Sequence, residues 1–155
     1  MSILKQYGIS NLSGICKTVS IKNETFRLCG ADDPEAYACS ADPENAFTEQ
    51  LRRLASGSEG NHYTVLLSHR PEFFESYAEC GFDLALCGHA HGGQWRVPLI
   101  LNGLFAPDQG LFPEYAGGRY TLAETTMIVS RGPARESTRI PRIFNRPELV
   151  LIELQ

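Results

Sequence analysis

The chain has 155 residues, 43% of them hydrophobic, which is enough for one domain with its own core and too few for two. Its formal charge is -4 and its lysines and arginines are scattered, so no basic footprint for nucleic acid or an anionic bilayer is visible. The opening MSILKQYGIS lacks the regions of a secretory signal. The longest apolar stretch, VPLILNGLFAP, is broken by Pro98, Asn102 and Gly103, well short of the roughly 20 residues that span a bilayer. A cytoplasmic location without a membrane segment is the expectation. The five cysteines include no CxxC, and two sit in apolar runs, which suits reduced, buried thiols better than a disulfide frame.

In chain order, Glu24 to Cys29 (ETFRLC) alternates so that Phe26 and Leu28 share a face, and Gly30 followed by ADDP ends the run, as for a strand entering a loop. In SADPENAFTEQLRRLASG, Asp42 is placed as an N-cap and Pro43 at the first helical position. Phe47, Leu51 and Leu54 follow at helical spacing, and Gly57 is the stop. Tyr63 to Ser68 (YTVLLS) is short, β-branched and apolar, as expected for a strand covered on both faces. Pro71 then opens a second helix, PEFFESYAEC, carrying Phe73, Phe74 and Tyr77 toward a core. FDLALC is another buried strand. Gln94 to Arg119 is a long Gly- and Pro-rich loop of the kind that carries function. Thr125 to Ser130 (TTMIVS) and Glu148 to Leu154 (ELVLIEL) read as strands.

Two strand ends deliver histidines: VLLSH gives His69, and LALCGH gives His89 with His91 beyond it. Ligands of open α/β sheets bind just past the carboxyl ends of strands, so these histidines are placed to converge. Residues two apart in an extended chain lie roughly 6 to 7 Å apart on one side, which suits His89 and His91 to different ions of a metal pair spaced about 3.5 to 4 Å. The other reading of HxH between glycines is a surface loop, with His69 satisfying a helix terminus, and spacing alone leaves the two open.

VLLSHRPEFF, FDLALCGHAHGGQWRVP, LFAPDQGLFPEYAGGRY, IVSRG and NRPELVLIEL resemble, in that order, the carboxyl-terminal half of the calcineurin-like metallophosphoesterases, in particular the bacterial branch with the signature GHTHGGQ. LCGADDP is a weaker match to an acidic loop in the middle of that fold. The resemblance implies an α/β (α+β) fold, part of a four-layer α/β/β/α sandwich with mixed sheets. It also implies two metal ions, Mn, Fe or Zn, with His69 and His89 on one and His91 on the other. Two cations lower the pKa of a bridging water, so that hydroxide attacks phosphorus in line.

That family also uses an Asp-x-His, a Gly-Asp whose carboxylate bridges the ions, and a Gly-Asn-His-Asp/Glu with a histidine general acid, none of which stands before His69 in the right place. Gly60, Asn61 and His62 in EGNHYT adjoin the VLLSH strand and read as a polar turn. The chain thus resembles half a domain, and no catalytic general acid is assigned. Asp32 and Asp33 suit a loop or cap better than ligation. Arg131, Gln94 and Asn102 are candidates for phosphate contact, or solvated polar positions. Asp108 and Gln109 either shape a substrate mouth or build a turn.

The function expected is metal-dependent hydrolysis of a phosphomonoester or phosphodiester by the parent family, with this chain weakly active or inactive alone. The alternative is a noncatalytic, self-associating module. Half a sandwich exposes one apolar sheet face, to be covered in a homodimer or by a missing amino-terminal half. A mononuclear zinc hydrolase built on His69, His89 and His91 is the third reading.

Overall fold

A computed structural model describes residues 3–57, 62–97, 100–133 and 141–154. Its strands are β1 (Ile15–Ile21), β2 (Glu24–Gly30), β3 (Tyr63–Leu67), β4 (Leu84–Cys87), β5 (Phe105–Ala106), β6 (Gly110–Leu111), β7 (Gly118–Leu122) and β8 (Thr125–Val129). Six of them form one mixed sheet in the order β1-β2-β3-β4-β8-β7, and β5 and β6 make a separate short ladder. The four inner strands run parallel, and each outer strand is antiparallel to its neighbour. Parallel neighbours need crossovers, and two of these carry helices: α2 (Pro43–Ser56) between β2 and β3, and α3 (Phe74–Glu79) between β3 and β4. A short α1 (Ile3–Gln6) precedes the sheet.

Cross-strand register aligns Cys16, Cys29, Leu66, Ala85, Met127 and Tyr120 in one row. This row meets Phe47, Leu51 and Leu54 of α2 and Phe74 and Tyr77 of α3, and together they form the core. Phe47 packs edge-on against Phe73 with ring centroids 4.7 Å apart. Helix α2 starts as the sequence predicts: the Asp42 side chain accepts from the Asn45 N–H, with Pro43 next and Gly57 at the end. At that end the buried Arg27 donates to the Leu54 carbonyl at 2.9 Å, satisfying an orphan acceptor of the last turn.

The opposite face of the sheet lacks a helix layer among the described residues. Ile15, Ile21, Tyr63 and Leu67 point to it and are exposed. Of the layers the resemblance implies, the described residues supply one helix layer and one mixed sheet. The mixed α+β class expected from the sequence therefore stands. No described helix is long and apolar enough to cross a membrane.

Several local expectations are corrected. The second helix is divided, with a 3-10 turn over Pro71–Phe73 before α3. Glu148 to Leu154 is extended but forms no strand. Its alternation is real, since Glu148, Val150 and Ile152 are half-buried beside Leu86 and Ile128 while Leu149 and Leu151 are each 94% exposed. An apolar alternating pattern gives extended backbone, but a strand also needs a neighbour to pair with. Strands β1 and β7 carry little sequence signal because their core-facing positions are mostly polar or small: Thr18 and Ser20 share the face of Cys16, and Gly118 the face of Tyr120. The cysteines are not all free thiols: Cys16 and Cys29 stand opposite each other in the β1–β2 register and are joined as a disulfide, with Cα atoms 3.9 Å apart. Cys39, Cys80 and Cys87 are free.

Candidate functional site

Strands β3 and β4 end side by side because Leu67 pairs with Leu86. The ladder continues past both ends, with Ser68 N–H donating to Leu86 at 3.1 Å and Gly88 N–H donating to His69 at 3.2 Å. That extension brings His69 and His89 together, their rings edge-on with centroids 4.8 Å apart. Gly88 lies against the same ring, where a Cβ would stand 3.4 Å from His69 Nδ1, an ordinary van der Waals contact. Beyond it the chain turns sharply: His89, His91 and Gln94 all have positive φ, as do Gly92 and Gly93. Such a run is costly for side-chain-bearing residues and is held by its surroundings.

The holding residue is Asn145. It is buried, and its amide donates to the carbonyls of His91 at 2.7 Å and Gln94 at 3.1 Å. The Ile143 N–H reinforces it with a bond to the Gln94 carbonyl at 3.2 Å. Gly92 sits beneath Asn145, where a Cβ would lie 2.3 Å from the Asn145 Oδ1.

Arg70, following His69, is the electrostatic centre. Its side chain is only 7% exposed and makes a two-pronged pair with Asp33 at 2.9 and 3.0 Å. It also reaches Glu35, Glu72 and Asp108. The Asp108 carboxylate in turn lies 2.6 Å from Nε2 of His89, and Arg70 Nη1 is 3.2 Å from that nitrogen. The Arg70 guanidinium holds Asp33 below the usual carboxylate range, and the His89 hydrogen bond does the same for Asp108. Partial burial, and then the neighbouring His89, lowers His69. Burial, and then Arg142, lowers His91. Both shifts favour neutral imidazole, the form that ligates metal.

The other sequence candidates are dispersed. Gln94 is buried beneath the histidine turn. Arg131 is paired with Glu148. Asn102 accepts from Arg96 and donates to the Gly117 carbonyl and the Tyr120 hydroxyl, each at 3.2 Å. Asp33 caps the short Pro34–Tyr37 turn, as the loop reading expects, and reaches Arg70 as well. Asp32 is bound to Gln50 and Ser13. Gln109 brackets the backbone of Tyr115 and so builds the turn, whereas Asp108 enters the histidine cluster. Of Gly60, Asn61 and His62, the first two lie outside the described residues.

Comparison with known proteins bears on this arrangement. The chain is 32% identical over 151 residues to the phosphodiesterase YaeI of Escherichia coli K12, covering 97% of this chain and 49% of that protein. It is 31% identical over 94 residues to the uncharacterized metallophosphoesterase YkuE of Bacillus subtilis 168, covering 60% of this chain and 31% of YkuE. The chain is thus similar to proteins that carry the names phosphodiesterase and metallophosphoesterase. It spans about half or less of the length of these relatives. A bovine transmembrane protein with a metallophosphoesterase domain is also similar, at 32% identity over 136 residues, 83% of this chain and 27% of that protein. No family model and no solved structure matches the chain.

The names of these metallophosphoesterase relatives imply divalent metal. The described part of this chain does not by itself fit a dinuclear centre. Among the described residues no three His, Cys, Asp or Glu side chains gather around one point. The nearest carboxylate, Asp108, is engaged by His89 and Arg70. What the chain offers is a pair of imidazoles at adjacent strand tips, with His91 one turn on.

Sequence reasoning missed Arg70 and Asn145 as residues that organise the site, and it left Asp108 between a substrate mouth and a turn. A signal for Arg70 was present: one arginine beside a strand-end histidine, followed by Glu72 and preceded in the chain by the acidic ADDPE loop. Asn145 left no such trace, because its role depends on a contact 54 residues away in sequence.

Proposed function

We propose that this chain supplies the histidine-bearing part of a metal-dependent phosphoesterase that hydrolyses phosphomonoesters or phosphodiesters, and that it is weakly active or inactive alone. The observation that carries this reading is the meeting of the His69 and His89 rings, 4.8 Å apart, at the carboxyl ends of two adjacent parallel strands. Imidazoles are suitable donors for Zn, Fe or Mn, and hard oxygen ligands from outside the described residues would complete the set. Metal bound there would supply Lewis-acid activation of water and charge neutralisation at phosphorus. His69, His89 and His91 are the ligands assigned to it, and Arg70 and Asn145 position them.

The test is a chimaera in which this chain replaces the matching half of the Escherichia coli phosphodiesterase, assayed on bis(p-nitrophenyl) phosphate with Mn²⁺ or Zn²⁺. Metal-dependent turnover that falls by more than roughly 100-fold in His89→Ala is the expected result. Turnover indifferent to that substitution would refute the assignment.

A second reading is a self-associating module, favoured by Ile15, Ile21, Tyr63 and Leu67, which are exposed on the sheet face that lacks a helix layer among the described residues. The mononuclear zinc reading has no comparable support, since no three donors converge among the described residues.

A further inference from the structure

Behind the histidine turn lies a cavity of about 460 Å³, within the range that takes small organic ligands. One wall is polar and cationic, made by Arg96, Asn102 and Arg131. Its mouth is apolar: Ile100 is 85% exposed, Phe144 75% and Val97 45%. Neither half is accidental to the local fold. Asn102 is fixed by its bonds to Gly117 and Tyr120, and its carbonyl oxygen accepts from Arg96 Nη2, which is the side-chain hydrogen bond Arg96 makes among the described residues. Arg142 donates to the Arg131 carbonyl at 2.7 Å, bringing a third guanidinium alongside.

These three cations crowd one another. Burial, and then Arg131, pulls both Arg96 and Arg142 below the usual guanidinium range, and among the described residues Glu148 is the carboxylate that pairs with the group. An anion entering the cavity would relieve that repulsion in a partly dehydrated space, where charge-assisted hydrogen bonds are strong. A bare anion leaves the apolar mouth in water, and a neutral amphiphile leaves Glu148, already bound to Arg131, as the one carboxylate that pairs with three guanidiniums among the described residues. One ligand satisfies both walls.

We propose that this cavity binds an amphiphile with an anionic head, the head held by Arg96 and Arg131 and the first methylenes by Val97, Ile100 and Phe144. The proposal rests on the cavity alone and stands or falls independently of the phosphoesterase reading.

Trp95, the only tryptophan in the chain, immediately precedes Arg96 and Val97 of the lining and is 42% exposed, which makes its fluorescence the readout of the titration. The chain is titrated with dodecyl phosphate below its micelle concentration, with dodecyl maltoside and with inorganic phosphate. A saturable blue shift with dodecyl phosphate alone is expected, weakened at least tenfold in Arg96→Gln and in Ile100→Ser. The second variant alters an exposed side chain and keeps the test valid if the first unfolds. Sedimentation with phosphatidylglycerol and phosphatidylcholine vesicles assigns the source. Binding to the former together with the monomer points to a bilayer lipid, and binding to the monomer alone to a free amphiphile. Equal shifts with the maltoside, equal affinity for inorganic phosphate, or undiminished binding in both variants would overturn the proposal.

Discussion

The carboxylate of Asp108 lies 2.6 Å from Nε2 of His89, and both meet the guanidinium of Arg70. Because Asp33 comes from the loop after β2 and Asp108 from the long loop before β7, Arg70 fastens two distant loops to the strand tip that carries His69. Replacing it with Gln leaves this clustered set of carboxylates without its cation. A cost of about 2 to 3 kcal/mol is expected, below the roughly 3 to 5 kcal/mol of a fully buried pair because Asp33 and Asp108 retain solvent. Urea unfolding measures it. Arg52→Gln, which removes the exposed pair with Glu49, should cost under about 0.5 kcal/mol by the same method.

The same pair fixes a pH dependence. Asp33 titrates below its ordinary 3.8 in the folded chain because Arg70 donates to it. A depressed folded pKa contributes stability that is fully present above 3.8 and is lost as pH falls through the lower folded value. Acid titration of the thermal midpoint should therefore show a fall below that pH, and Arg70→Gln should flatten it. An unchanged slope in the variant would show that Asp33 is not the group responsible.

How much of this was legible in the sequence divides along physical lines. Helix α2 was readable to its caps, because Asp42, Pro43 and Gly57 act locally and Phe47, Leu51 and Leu54 repeat at the helical period. The inner strands β3, β4 and β8 were readable as apolar runs. His69 and His89 were legible as residues at strand ends, and their meeting followed once β3 and β4 were neighbours. The failures are cases where a partner decides. Glu148 to Leu154 has a strand's alternation and lies beside Leu86 and Ile128 but forms no ladder with either strand. Cys16 and Cys29 look like separate apolar cysteines until register places them opposite one another. Asn145 and Arg70 act across long sequence separations that no local pattern records.

Gly92 gives the sharpest test of the histidine turn. It has φ +68°, and a Cβ there would sit 2.3 Å from Asn145 Oδ1 and 2.8 Å from Arg131 Cγ. Ala must therefore displace the residue that holds the His91 and Gln94 carbonyls, in addition to adopting left-handed backbone. Gly81 has a similar φ of +76° with nothing within 4 Å, so it isolates the backbone term. Gly81→Ala should cost about 1 kcal/mol and Gly92→Ala about 2 to 4 kcal/mol in denaturant melts. Equal costs would mean that Asn145 is free to move and does not clamp the turn.

Leu149 and Leu151 decide whether the uncovered side of the sheet associates. Each is 94% exposed on an extended segment whose alternate residues lie beside Leu86 and Ile128. Substituting side chains this exposed changes folding stability by no more than about 0.5 kcal/mol, so any effect on mass reports on contacts between molecules. Light scattering of the unaltered chain should give about twice 17.2 kDa at micromolar concentration. The double variant Leu149→Ser, Leu151→Ser should shift toward the monomer, because two leucines lose roughly 1.5 to 3 kcal/mol of burial each where they are fully covered. A monodisperse species at 17.2 kDa for the unaltered chain would rule out self-association through this face.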